Sequence, residues 1–297
     1  MDTLSNKIDF AVILTVKHAN PNGDPLNGNR PRVTYEGYGE ISDVAIKRKI
    51  RNRLQDMGHK IFVQSDDNRA KDDNYGSLRE RAEGTLKGID PNKDKEKYKK
   101  TACDKWLDVR AFGQVFAFRG KKREENKDEK DSDGVSIGIR GPVTIHPAFS
   151  VATVLDRAPS IQITKSVSGE PDEKRGSDTM GMKHRVDHGV YVFYGSMNPQ
   201  LAEKTGFSDE DAEAIKKALR TLFVNDESAA RPAGSMTVHK VYWWKHNNKN
   251  GQYSSAKVHG LLKVKVKDGV EEPNDIEDYE ITLDKLDGLE CEEINGE

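Results

Sequence analysis

The sequence has few of the residues that build disulfide-bonded or zinc-bound frameworks. Cysteine occurs twice in 297 residues, at Cys103 and Cys291, and no second Cys or His stands at zinc-ligand spacing from either. Neither a disulfide scaffold nor a zinc module is therefore indicated. There is no signal-peptide-like N-terminal stretch and no run of about eighteen apolar residues that could span a bilayer. We expect a cytoplasmic chain with no membrane partner.

Acidic charge is concentrated at one end of the chain. Between Asp268 and Glu297 there are thirteen Asp or Glu residues and one Lys, a formal charge of −12. The other residues hold 47 basic and 37 acidic side chains, a formal charge of +10. A cationic body suits a polyanion partner, whereas the acidic segment could simply keep the chain in solution. Charge alone does not decide between these interpretations.

Hydrophobic periodicity predicts an α+β chain with extended insertions. Apolar residues alternate with others from Ile8 to Lys17, which predicts a first strand with one strongly apolar face. Ser42 caps a predicted helix that Gly58 closes; its apolar stripe is Ile46, Ile50, Leu54 and Met57. Later elements are predicted as strands at 160–167, 190–197, 237–244 and 257–267 and a helix from Ser208 to about Val224.

Two charged stretches interrupt these elements. The region from about 66 to 105 has no clean period and predicts a loop-rich excursion with some helix. Arg119 to Gly134 holds six basic and six acidic residues with almost nothing apolar to bury, which predicts a mobile loop.

The segment from Asn20 to Arg32 is the most specific in the sequence. Its three prolines and two glycines preclude helix or strand, and its four Asn side chains favour tight turns. Such turns aim N–H groups and amides outward, and Arg30 and Arg32 add positive charge. Phosphate oxygens are a natural ligand for this combination. The alternative is a structural loop that joins the strand to the helix.

The predicted helix that follows strengthens the case for a polyanion. Five cations occupy seven positions: Lys47, Arg48, Lys49, Arg51 and Arg53. At about 100° per residue, Lys47, Arg48 and Arg51 share one arc beside the apolar stripe. The helix N-terminus at Ser42 also favours an anion. A solvated basic face without a ligand is the alternative.

At these residues the chain resembles the backbone subunit of type I-C CRISPR Cascade, in the RAMP superfamily. The resemblance rests on four segments, 20–32, 42–51, 108–113 and 139–143, with 189–198 extending it over most of the chain. It implies a modified RRM-like (ferredoxin-like) palm with a β-hairpin thumb and finger insertions. The palm with its insertions would span 1–267, with a finger at about 66–105, the charged loop at 119–134, a thumb hairpin at about 159–194 and an acidic segment at 268–297.

The resemblance also implies a function and a set of partners. Copies would stack head to tail along CRISPR guide RNA beside other Cascade subunits, and the guide would pair with target DNA. Specificity would reside in the guide, and the protein would bind RNA backbone with no sequence preference, no cofactor and no catalysis. The RNP1 pattern is absent, so stacking of bases on the sheet is not expected.

Site residues follow from the same resemblance. Lys47, Arg48 and Arg51 match the family helix that grips RNA phosphates. The turn matches the segment beside that helix, and Arg140 belongs to the Gly-Pro motif. Met180 and Met182 would lie at the thumb tip, against an unstacked base or packed back on the palm. The complete set of predicted RNA-binding residues is Asn20, Asn22, Asn27, Arg30, Arg32, Ser42, Lys47, Arg48, Arg51, Arg140, Met180 and Met182.

Two other functions remain open. A RAMP endonuclease would process the guide precursor with a His acting on the 2′-hydroxyl, and His184 and His188 form the densest His cluster. These two are interpreted as a surface pair near a hairpin. A structural DNA-binding protein unrelated to CRISPR would share the basic helix, yet it gives no reason for the Asn-rich turn. A preference for guide length would separate the Cascade backbone from the unrelated DNA-binding protein. Cleavage products would separate it from the endonuclease.

Overall fold

The computed structural model describes residues 2–71, 73–118, 135–155, 159–166 and 178–297. In this part of the chain the strands are β1 (Ile8–Ala19), β2 (Gly23–Asp24), β3 (Arg30–Pro31), β4 (Tyr38–Ile41), β5 (Gly113–Phe118), β6 (Val135–Arg140), β7 (Val143–Ile145), β8 (Ala148–Thr153), β9 (Ser160–Ser166), β10 (Asp178–His184), β11 (Val186–Met197), β12 (Met236–Lys245), β13 (Leu262–Val266), β14 (Tyr279–Leu283) and β15 (Glu292–Asn295).

The helices lie between runs of these strands, giving a mixed α/β fold. They are α1 (Asp43–Asp56), α2 (Leu78–Thr85), α3 (Lys95–Lys105), α4 (Leu107–Phe112), α5 (Pro199–Thr205), α6 (Asp209–Arg220) and α7 (Ser255–His259). No helix in the described ranges is long and apolar enough to cross a membrane.

A seven-stranded antiparallel sheet forms the centre of the molecule. Its order is β15-β12-β1-β11-β8-β4, and β7 pairs with β11 beside this path. Strand β1 lies between β11 and β12, so both of its edges are hydrogen-bonded. Phe10 and Val12 enter one core, and Ala11 and Ile13 enter a second core on the opposite face. The expectation of one strongly apolar face was therefore incomplete, because both faces of β1 are covered.

Helix α1 packs on the first face of the sheet as its sequence pattern predicts. The Ser42 side chain caps it, its apolar stripe is buried, and Gly58 follows the last turn with a positive φ of 89°. Complete burial of an aliphatic side chain such as Ile50 contributes roughly 1.5–3 kcal/mol. Helix α6 joins the same core and begins at a capping box formed by Ser208 and Asp211.

The acidic segment covers the second face and one edge of the sheet. Strands β13 and β14 form a hairpin over the second core, and β15 pairs with β12. The expected division between 267 and 268 falls inside this hairpin. The acidic segment is therefore part of the folded chain.

The region predicted as a finger insertion packs around a third core. Helices α2, α3 and α4 enclose aromatic residues, including Phe62, Trp106 and Phe116, against the β5–β6 hairpin. Ring centroids of Phe62 and Trp106 are 4.7 Å apart. The predicted charged loop at 119–134 lies outside the described residues.

The candidate thumb is the β9–β10 hairpin. Asp178 pairs with Ser166 and His184 pairs with Ser160. Its second arm is Asp178–His184, so the predicted thumb range of about 159–194 also includes residues of β11, which belongs to the main sheet. The segment 167–177 that joins the arms lies outside the described residues.

Candidate nucleic-acid interface

The Asn-rich turn is a small, hydrogen-bonded hairpin. Strands β2 and β3 pair with each other across a 3₁₀ turn at Pro25–Asn27, although the sequence pattern was expected to preclude strand. The Asp24 carboxylate accepts a hydrogen bond from the Leu26 amide at 3.1 Å. Gly28 and Asn29 adopt positive φ angles of 59° and 58°, which Gly and Asn tolerate best. The turn is therefore held in one shape.

Three residues expected to bind RNA hold this turn against α1 instead. Asn22 Oδ1 accepts hydrogen bonds from the amide and the hydroxyl of Ser42, both at 2.9 Å. The Ser42 hydroxyl in turn accepts from the Ala45 amide. Asn20 is buried, and its side chain donates to the Asn29 carbonyl at 2.8 Å. Asn20, Asn22 and Ser42 thus use these polar groups within the chain, and contact of the three with RNA stays a prediction.

Other residues of the turn face solvent. Asn27 and Arg30 are exposed, and Arg30 has no ion pair within the described residues. Arg32 is half-buried, with its guanidinium 3.8 Å from the Asp24 carboxylate. Leu26 at the tip is 98% exposed. Asn27, Arg30 and Arg32 are the predicted residues of this turn that an external phosphate can reach.

The cations of the basic helix α1 form contacts within the chain that its sequence does not indicate. Lys47 forms an ion pair with Asp43 one turn away, at 2.9 Å. Arg51 Nε donates to the Asp108 carboxylate at 2.9 Å, and its side chain is only 13% exposed. Arg48 donates to the Val63 carbonyl at 2.6 Å.

Asp108 accepts a hydrogen bond from Arg51 and also binds Val63, the residue whose carbonyl accepts from Arg48. Its buried carboxylate also accepts from the Phe62 and Val63 amides at 2.7 and 3.1 Å, tying α4, α1 and the finger together. Burial and then the neighbouring positive charge of Arg51 lower the pKa of Arg48. The carboxylates of Asp108 and Asp67 act in the opposite direction, so acidic groups of the chain itself partly offset the repulsion between the two guanidinium groups.

Lys49 and Arg53, on the other flank of α1, bind partners within the chain. Buried Lys49 pairs with Asp226, which also pairs with Arg231 at 3.3 Å. Arg53 Nε donates to the Thr221 hydroxyl at 2.7 Å. Sequence reasoning missed Asp108 and Asp226, and no local signal marks them, because each lies far along the chain from its partner.

Arg140 lies in a different region from the basic helix. It is exposed at the end of β6, in a groove beside α3 and α5. Gly113 pairs with Arg140, and a Cβ on Gly141 would stand 2.2 Å from the Ala111 carbonyl oxygen. The segments 108–113 and 139–143 therefore meet at a backbone crossing that has no room for side chains.

The thumb residues lie on a strand rather than at a tip. Met180 and Met182 belong to β10, opposite Thr164 and Gln162, and Met182 is 56% exposed. This placement corrects the expected loop position. Burial, and secondly the charge of Arg30, lower the pKa of His184. Strands β3 and β10 are in contact, so the turn lies close to the base of this hairpin.

The two histidines considered for RNA cleavage are buried, which corrects the expected surface pair. His184 Nδ1 is 2.8 Å from the Ser160 hydroxyl, and the His188 ring packs 6.0 Å from Tyr279. Neither ring is open to a 2′-hydroxyl in this conformation. No group of three or more metal-ligating side chains comes together in the described part of the chain.

Comparisons with known proteins give the following similarities. A family model described as CRISPR-associated protein Cas7 matches residues 6–284. A protein of Haloferax volcanii described as CRISPR-associated protein Cas7 is 28% identical over 219 residues, which are 72% of this chain and 63% of that protein. The match thus spans less than two thirds of the relative's length.

Two solved structures are similar at lower identity. A chain from a structure described as a CRISPR RNA-guided surveillance complex, pre-nicking, aligns with 80% of this chain and 78% of its own, with a TM-score of 0.42 and 15% identity. Another, described as a CRISPR RNA-guided surveillance complex, has a TM-score of 0.38, 17% identity and coverages of 80% and 68%.

Proposed function

The chain belongs to the Cas7 family of CRISPR-associated proteins, and on that premise we propose that it binds CRISPR guide RNA by its phosphates, without sequence preference, as the repeated backbone of a type I-C Cascade. The central sheet with its helices would be the RRM-like palm, and β9–β10 would be the thumb. Copies would stack along the guide beside other Cascade subunits, and the guide would pair with target DNA.

The observation that carries the proposal is the fixed turn beside the start of α1. Two Ser42 hydrogen bonds to Asn22 hold the turn in register with the start of the helix, and the same turn carries the exposed Arg30 and the half-buried Arg32. A pre-formed cationic surface loses little conformational entropy when a phosphate binds. Lys47, Arg48 and Arg51 lie further along the same helix, where each already has a partner within the chain, and their contact with RNA stays a prediction.

These contacts would read the RNA backbone rather than its bases. Exposed guanidinium groups match phosphate oxygens, which every nucleotide carries. Leu26 and Met182 are exposed apolar side chains that could contact an unstacked base. Met180 stays a predicted contact on the same strand. No catalytic step is proposed, because burial keeps His184 and His188 away from the RNA.

The test removes the two turn cations together. The variant R30A/R32A should bind single-stranded RNA more weakly, with a log-log salt slope shallower by about 1.4, since each lost phosphate contact contributes roughly 0.7 for single strands. Fluorescence anisotropy across a salt series measures both values. Thermal unfolding should be unchanged, because neither side chain is buried.

A control carries the same charge change elsewhere. K93A/K95A removes two exposed finger lysines far along the chain from the turn, and its slope should match that of the unmodified chain. An equal loss in both variants would mean that net charge, not the turn, governs binding. Affinity that follows base sequence at fixed length and salt would contradict the proposed backbone readout.

A further inference from the structure

A cationic groove lies beside α3, apart from the Asn-rich turn and α1, and it includes Arg140 of the predicted RNA-binding set. It runs between α3, β6 and α5, and its lining includes Lys97, Lys100, Arg140 and Lys204. None of these four cations has a carboxylate partner within the described residues. The Thr205 hydroxyl also lines the groove; it is buried and without a hydrogen-bond partner in the same part of the chain. Unmatched donors of this kind indicate an anionic occupant.

The same chain carries an anionic surface that lacks partners. Five carboxylates of the acidic segment form ion pairs with lysines or an arginine of the fold: Glu280, Asp284, Glu292, Glu293 and Glu297. Seven more are exposed and have no ion pair among the residues described: Asp268, Glu271, Glu272, Asp275, Glu277, Asp287 and Glu290. They surround the β13–β14 hairpin and the approach to β15.

The two surfaces lie on opposite sides of the central sheet. Helices α4 and α5 contribute Leu107, Ala111 and Ala202 to the first core, so the groove belongs to that side. The β13–β14 hairpin covers the second core. When copies stack in the same orientation, opposite faces meet, and such a head-to-tail contact needs two different but complementary surfaces on one chain.

We propose that the groove of one copy receives the acidic segment of the next copy. The inference rests on the proposed function, because it names the surfaces through which copies would stack along the guide. Opposite charges would steer the copies together and fix which faces meet.

The groove fits a protein segment better than a second nucleic-acid strand. Glu96, Asp104 and Glu203 also line it, so the groove carries charges of both signs. The acidic segment carries Lys285 among its carboxylates and so offers charges of both signs to this mixed groove, whereas a phosphate backbone carries negative charge alone. A nucleic-acid strand in the groove is the competing outcome of the test.

A charge swap tests the contact. The variant K97E/K100E reverses two groove cations, and E271K/E272K reverses two carboxylates of the segment. Each alone should raise the protein concentration needed for multi-copy assembly on a long single-stranded RNA by about tenfold or more, because like charges then meet at the contact. Analytical ultracentrifugation measures assembly, and combining all four changes should restore it.

The control and the remaining outcomes separate this contact from RNA binding itself. K93E/K95E changes the charge of the same finger equally outside the groove and should assemble normally. Binding of one subunit to a short RNA should be within about twofold for every variant. Normal assembly of K97E/K100E, or a four-residue variant no better than either parent, would overturn the contact. If K97E/K100E instead weakens short-RNA binding, the groove holds nucleic acid. An unmodified chain that binds no RNA contradicts the proposed function, not this contact.

Discussion

Helices α1 and α3 carry the same number of cations and use them differently. Each contains five Lys or Arg residues. Every cation of α1 has a partner inside the chain: Asp43, the Val63 carbonyl, Asp226, Asp108 and Thr221. Within the described residues of α3, Lys99 has a carboxylate partner in Glu96, whereas Lys95, Lys97, Lys100 and Lys105 have none.

Depth of packing explains the contrast. Helix α1 buries a full apolar stripe, so the stems of its flanking cations lie at the packed boundary, where groups from other segments meet them. Helix α3 buries only Tyr98, Ala102 and Cys103, and its lysines extend into water. A count of basic residues therefore overstates the free charge of α1. It does not overstate that of α3.

The largest effect should come from the carboxylate that ties α1 to the finger. Asp108→Ala leaves Arg51 without its partner and removes the acceptor of the Phe62 and Val63 amides. Breaking a buried pair in this way costs about 3–5 kcal/mol of unfolding free energy. Urea unfolding followed by far-ultraviolet circular dichroism measures the loss.

The matched control is an exposed carboxylate of α3. Asp104→Ala removes the same chemical group four residues earlier, and its effect should be within about 0.5 kcal/mol of zero. Equal stability of the two variants would contradict the contrast between the helices.

Because the cations of α1 have partners within the chain, replacing Lys47, Arg48 and Arg51 together with alanine is expected to destabilise the chain. Its RNA affinity would then be hard to interpret.

A smaller effect is expected at the buried pair on the other flank of α1. Asp226→Ala leaves Lys49 buried without its partner, at a cost of about 2 kcal/mol, less than at Asp108 because a buried Lys can release its proton. Lys49→Met should be nearly neutral, since Asp226 keeps Arg231. Urea midpoints of the two variants should therefore differ clearly.

The pH dependence of stability gives a second measurement on Lys49. Burial lowers its pKa from the ordinary 10.5, against the raising influence of Asp226. Between the lowered pKa and 10.5 the unfolded chain binds more protons than the folded chain, so stability rises with pH in that window. Lys49→Met should remove this rise. A rise that persists in the variant would assign it to another group.

The elements of the fold follow from short-range patterns to a large extent. The first strand, the Ser42 cap, the stripe of α1 and the Ser208 cap were predicted from alternation, helical period and capping residues, and each is confirmed. The role of the acidic segment in the fold was not predicted, because burial of β14 and pairing of β15 depend on strands far away in sequence. Composition made these residues look like a solvated tail.

The candidate site was predictable only in its location. The turn and α1 do lie together, yet the sequence could not separate side chains that face out from those that face in. Asn20 and Asn27 occur in the same turn; the first is buried and the second is exposed. The difference arises from the hydrogen bond to Asn29 and from the β2–β3 pairing, which local residue preference does not specify.

The smallest effect should separate two asparagines of that turn and sharpen the contrast between the helix starts. Helix α3 is capped by Asp94 of its own segment, whereas the cap of α1 is itself held by Asn22. Asn22→Ala removes the acceptor for both Ser42 donors and should cost about 1 kcal/mol of unfolding free energy. The amides of Ser42 and Ala45 should exchange hydrogen faster, because the start of α1 opens more often. Asn27→Ala, at an exposed position of the same turn, should change neither value, and matching exchange rates in the two variants would show that the turn does not hold the helix start.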